Sequence, residues 1–147
     1  MDKLKQKYDQ LGRALKSLEK ALVDFEQLEA KYAPFKEEFD FEAIYKTNRD
    51  SVVQRFEYTI DLFWKYIKKY LEQAHVGGDI KFPSEIMREA YSTGLFSEED
   101  AETILLMIKS RNNTSHLYIE EVAEQLVGAI PSYYKTLSGL IEKIKPK

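Results

Sequence analysis

Residues 1–34, MDKLKQKYDQLGRALKSLEKALVDFEQLEAKYAP, decide the fold. Leu4, Tyr8, Leu11, Leu15, Leu18, Leu22 and Phe25 recur at alternating spacings of four and three residues. That spacing sets them in one stripe along a helix, the heptad pattern of helices that pack side by side. Leu28 and Tyr32 carry the stripe on with a small shift. The predicted helix runs from about Asp2 to Tyr32, roughly 45 Å at 1.5 Å per residue, and Pro34 ends it. A charged helix with one apolar stripe buries that stripe only against other helices, so this stretch points to a bundle.

The remaining segments agree. Phe35, Phe39, Phe41, Ile44 and Tyr45 stand among acids and read as a connector with room for a short helix. A second long helix is predicted from about Arg49 to Ala74. Its apolar residues, Val52, Val53, Phe56, Ile60, Leu62, Phe63, Trp64, Ile67 and Leu71, cover more than one face. Such a helix is either central in the bundle or shared with a second subunit. His75-Val76-Gly77-Gly78 stops it, the glycines being free to take positive φ. Pro83-Ser84 opens a short helix that ends at Gly94. Ser97 caps the next, with Asp100 three residues on and Phe96 placed to staple onto Ala101. That helix should end at or near Arg111. A last helix is expected from close to Ile119 to about Lys143, kinked or split by Pro131. With no strand signal and no internal repeat, the prediction is one all-α domain over residues 1–147, an antiparallel up-and-down helical bundle of about five helices.

Composition narrows the chemistry. Hydrophobic residues make up 44% of the 147 and charged residues 32%, enough for both a core and long solvated faces. The absence of cysteine removes disulfides, thiolate catalysis and zinc–thiolate sites, and fits a reducing cytoplasm. The N-terminus alternates charge with leucine and has no signal-peptide core. No window suits a membrane span. Net charge is −3, so any contact with RNA would be made by a local site and not by the overall field. There is no phosphate loop, no dinucleotide fingerprint and no nucleophile elbow. Glu72-x-x-His75 is half of a di-iron bundle motif, but no acid precedes His116 at that spacing, so no metal is expected. His75 is better read as a helix C-terminal residue near the negative end of the dipole.

One stretch carries chemistry: Arg111-Asn112-Asn113-Thr114-Ser115-His116-Leu117-Tyr118. The arginine can stabilise a phosphate charge and the histidine can move protons near neutral pH. Together they are the parts a metal-free RNA-cleaving site needs. The plain alternative is a polar connection between two helices. On one unbroken helix positions 111 and 116 would lie about 140° apart around the axis. A site therefore requires this stretch to leave the helix. Arg55 and Glu57, on the aromatic-rich second helix, are either a structural pair or part of a groove near the site.

Arg111, a polar Asn112, three more residues and His116 resemble the HEPN signature, and Tyr118 two residues later resembles its Arg-x4-His-x-Tyr toxin subgroup. Arg55-Phe56-Glu57-Tyr58-Thr59, Phe63-Trp64-Lys65, the segment from Pro83 to Ala90, and Gly94-Leu95-Phe96 are similar to the nucleotidyltransferase substrate-binding-protein family of the same group. The resemblance implies a HEPN-like bundle that forms homodimers and pairs with a separate minimal nucleotidyltransferase, often as toxin and antitoxin. It implies a metal-independent ribonuclease needing no cofactor. Arg111 would stabilise the phosphate, His116 transfer protons, Asn112 support them, and Tyr118 accept AMP from the partner. The rival is a non-catalytic subunit that presents a surface or a substrate to the nucleotidyltransferase. Ile119 stands where a polar N-cap would open the last helix, so the start of that helix is not fixed by the resemblance.

Overall fold

The computed structural model describes residues 2–35, 37–38, 40–74, 82–116 and 120–146, with the side chains of residues 113–116 excepted. Among these residues are six α-helices and no strand. The first, α1 (Lys3–Glu26), begins where Asp2 accepts the backbone N–H of Leu4 at 3.0 Å and of Lys5 at 3.3 Å, a side-chain N-cap. Leu4, Leu11, Leu15, Leu18 and Leu22 are buried, and Tyr8 and Phe25 pack against the same core. The predicted continuous helix is broken at Gln27, after which α2 (Leu28–Tyr32) and a 3-10 turn (Ala33–Phe35) follow. The cause is the shift in the stripe. Leu22, Phe25 and Leu28 are separated by two three-residue steps, each short of a full turn. The break at Gln27 lets Leu28 return to the core, where it is buried.

The helix α3 (Phe41–Gln73) starts earlier than expected. Asp40 accepts the N–H of Ala43 at 3.2 Å and Glu42 sits in the first turn, so the acidic and aromatic stretch read as a connector is the capped start of this helix. Its end at Gln73 matches the expectation, while His75 and the Val76-Gly77-Gly78 stop lie outside the described residues. α3 packs against α1, α4 (Pro83–Ser92), α5 (Glu98–His116) and α6 (Glu120–Leu140). Val52, Val53, Phe56, Ile60, Phe63, Tyr66, Ile67 and Leu71 are all buried by these neighbours. Leu62 and Trp64, from the same apolar set, are only half-buried against this core. Each of the buried side chains stabilises the fold by about 1.5–3 kcal/mol, far above the tenths that helix propensity contributes.

α4 closes with Gly94 at φ +83°, the N–H of Gly94 bonding to Tyr91 O and that of Leu95 to Ala90 O. This is the Schellman arrangement, which needs a residue free to be left-handed. Ser97 Oγ accepts the N–H of Asp100 at 3.1 Å and caps α5, with Phe96 and Ala101 both buried beside it. α6 runs unsplit through Pro131, contrary to one of the two outcomes expected there. Leu126, Val127 and Ile130 before the proline, and Leu137 and Leu140 after it, are buried, while Pro131 stands on the exposed side. Packing of both halves holds the helix where the proline alone would end it. Beyond α6, Ile144 is fully buried and its carbonyl accepts the hydroxyl of Tyr66, while Tyr8 donates to Ile141 O at 2.9 Å. No helix among the described residues is long and apolar enough to cross a membrane.

Candidate functional site

α5 does not end at Arg111. It continues as helix through Asn112, Asn113, Thr114 and Ser115 to His116. These polar residues disfavour helix by only tenths of a kcal/mol each. The expected loop, which would have let Arg111 and His116 converge within one protomer, is replaced by a helix on which their positions lie about 140° apart. The side chain of His116, and all of Tyr118 and Ile119, lie outside the described residues.

Arg111 is bound to the central helix by two acids. Its Nε–H donates to Asp61 Oδ1 at 3.3 Å and its Nη2 to Asp61 Oδ2 at 3.1 Å, a bidentate pair. Its Nη1 lies 3.5 Å from Glu57 Oε2. Glu57 and Asp61 are four residues apart on α3 and so share a face. The Arg111 side chain is about a quarter exposed, at 26%. The hydrogen bonds it donates to Asp61 push its pKa above the ordinary arginine value, burial opposes this, and the charges of Asp61 and Glu57 add to the rise. The cation is permanently charged, oriented, and faced by two carboxylates.

The structure therefore places Glu57 with Arg111. Arg55 it places elsewhere, donating to Ser17 Oγ of α1 at 3.1 Å and to Ser51 one turn earlier on α3. Asn112 is exposed and lines an open groove of about 700 Å³ between α4 and α5, together with Arg88, Leu105, Leu106 and Lys109. Asp61 is not singled out by the sequence pattern. Its signal is nonetheless present: two partly buried acids at i and i+4 on one helix face are stabilised by a cation between them.

A second charged cluster fixes the other side of the motif. Arg49, 3% exposed, reaches Asp50 at 3.1 Å, Glu124 at 3.3 Å and Glu120 at 3.8 Å. Lys46 reaches Glu120 at 3.2 Å, and the hydroxyl of Tyr45 donates to Glu124, which raises the tyrosine's pKa. The first turns of α6 are thereby pinned to α3, as Arg111 pins the last turns of α5. Among the described residues no three His, Cys, Asp or Glu side chains gather as a metal centre requires.

Residues 6–146 match the family described as nucleotidyltransferase substrate binding protein like. No curated protein matches the chain by sequence. Among solved structures, a protein of Thermus thermophilus is 29% identical, with a TM-score of 0.63 over 88% of this chain and 99% of that one. A tri-AMPylated Shewanella oneidensis HEPN toxin in complex with MNT antitoxin is 15% identical, with a TM-score of 0.68 and complete coverage of both chains. A toxin–antitoxin with AMP-PNP is 14% identical, with a TM-score of 0.66 over 99% of this chain and 100% of that one. At such identities these last two show a shared fold, the HEPN-like all-α bundle.

Proposed function

The chain belongs to the nucleotidyltransferase substrate-binding-protein-like family, and from that premise we propose that it is the HEPN toxin of a toxin–antitoxin pair, a metal-independent ribonuclease of the cytoplasm. The observation that carries this is Arg111, oriented by Asp61 in the last turns of α5, five residues before His116. The solved HEPN toxin of the same fold is AMPylated and bound to an MNT antitoxin. Here the counterpart would be a minimal nucleotidyltransferase that transfers AMP to Tyr118.

In the proposed reaction the 2′-hydroxyl of RNA attacks the adjacent phosphorus. Its proton passes to a base, the leaving 5′-oxygen takes a proton from an acid, and a cyclic phosphate end remains. Arg111 offsets the charge that builds on the phosphate oxygens. One protomer supplies one histidine to this site. Because positions 111 and 116 diverge around α5, a two-fold dimer is the arrangement that sets two histidines and two arginines about one axis. Purified chain should cleave RNA, and His116→Ala should abolish cleavage while the helical content is kept.

A second reading is favoured by the two carboxylates on Arg111 and the net charge of −3. In it the chain cuts nothing and presents the Arg111–Tyr118 surface to the nucleotidyltransferase. Absence of cleavage by the dimeric protein, with AMP transfer to Tyr118 intact, would select it.

A further inference from the structure

The two acids on Arg111 are held differently. Asp61 grips one edge of the guanidinium through Nε and Nη2, at 3.3 and 3.1 Å. Glu57 meets the remaining terminal nitrogen, Nη1, at 3.5 Å. A two-point edge contact fixes both the place and the plane of a guanidinium, whereas one longer contact fixes neither. A phosphodiester approaching Arg111 finds the Nε edge taken by Asp61. It must bind on the Nη1 side, where the Glu57 carboxylate sits and repels it.

We propose that Asp61 is a positioning residue that orients Arg111 for a phosphodiester, and that Glu57 occupies the phosphate subsite and gives way when the nucleic-acid phosphate arrives. This deepens the ribonuclease reading above and rests on it. The two carboxylates then act with opposite sign. Loss of the Asp61 charge frees the guanidinium to rotate, so turnover suffers. Loss of the Glu57 charge removes the competitor, so binding improves. A purely structural clamp would make both losses harmful.

The test compares Asp61→Asn, Asp61→Glu and Glu57→Gln in the full chain. Asp61→Asn should lower kcat by about tenfold or more, with a much smaller change in KM, since misplaced groups cost orders of magnitude in rate. Asp61→Glu, which keeps the charge and both oxygens, should recover part of that loss. Glu57→Gln should tighten binding of a non-cleavable 2′-O-methyl oligoribonucleotide by about threefold, a modest gain because the site is partly screened. If Asp61→Asn fails to fold, the Asp61→Glu and Glu57→Gln results decide. Wild-type kinetics in Asp61→Asn, or unchanged or weaker oligonucleotide binding in Glu57→Gln, overturns the proposal. Should the wild type bind oligonucleotide but cleave no RNA, the ribonuclease reading fails. The binding shift in Glu57→Gln then still judges the subsite, with tighter binding supporting it and unchanged binding refuting it.

Discussion

Replacing Arg49 by methionine removes a cation whose side chain is 4% exposed and leaves the carboxylates of Asp50, Glu120 and Glu124 facing one another. Methionine is unbranched and keeps most of the apolar contact made by the arginine stem, so the charge is what is lost. Breaking a fully buried ion pair costs about 3–5 kcal/mol, because the orphaned partner stays in a poor solvent. Here the partners are 39%, 56% and 50% exposed and regain water when the arginine goes. The expected cost is therefore nearer the strength of charge-assisted hydrogen bonds, about 2 kcal/mol. For a chain of this length that lowers Tm by roughly 6 °C. Urea unfolding followed by circular dichroism measures the first number, and a thermal scan the second. A double-mutant cycle with Glu124→Gln should show a coupling of about 1 kcal/mol. A loss below about 0.5 kcal/mol, or additive effects in the cycle, would refute the ion-pair account and leave only packing.

Burial raises the pKa of Tyr66, whose hydroxyl donates to the Ile144 carbonyl, so the folded chain holds this proton beyond the ordinary tyrosine value of 10.0. Its contribution is complete below about pH 10 and is lost as pH rises above that value, so urea midpoints should fall as pH is raised from about 10 upward and fall less in Tyr66→Phe; a flat profile contradicts this. Tyr8, Tyr45 and Tyr134, also raised, keep the variant's slope above zero. Light scattering at micromolar concentration should give a dimer burying more than roughly 1,000 Å², and a monomer removes the composite site. Co-expression with a partner nucleotidyltransferase should add AMP to Tyr118, with Tyr118→Phe active but no longer silenced. AMP found on another tyrosine, or none at all, defeats that assignment.

The parts of this fold that can be read from the chain are those fixed by local repetition and local caps. The leucine stripe of α1, the Ser97 cap and the Gly94 stop each depend on residues within a turn or two. The failures share a different cause. Asn112 to Ser115 are weak helix formers, and by propensity they end a helix at Arg111. α5 nonetheless continues to His116, and Arg111, which leads into this stretch, is held by Asp61, 50 residues away in sequence. Asp40 is obscured because the aromatic residues around it lack a clean period, although Asp followed by Glu is a helix start. Arg49 carries little local mark beyond its neighbour Asp50, since its other partner Glu124 is 75 residues distant. The apolar breadth of α3 suits two arrangements that sequence does not separate, and within the chain α3 packs against α1, α4, α5 and α6. In the site, the spacing of Arg111 and His116 is legible, but the acids that control the arginine are visible only as an i, i+4 pair awaiting a cation.

The most direct measurement is the chemistry of RNA ends produced by the purified chain in excess chelator, read by mass spectrometry and compared with Arg111→Ala. The account predicts cyclic phosphate ends from the wild type at undiminished rate. It predicts none from Arg111→Ala, with circular dichroism showing that the variant stays helical. Cleavage that stops with chelator, or cyclic ends formed equally by Arg111→Ala, would contradict it.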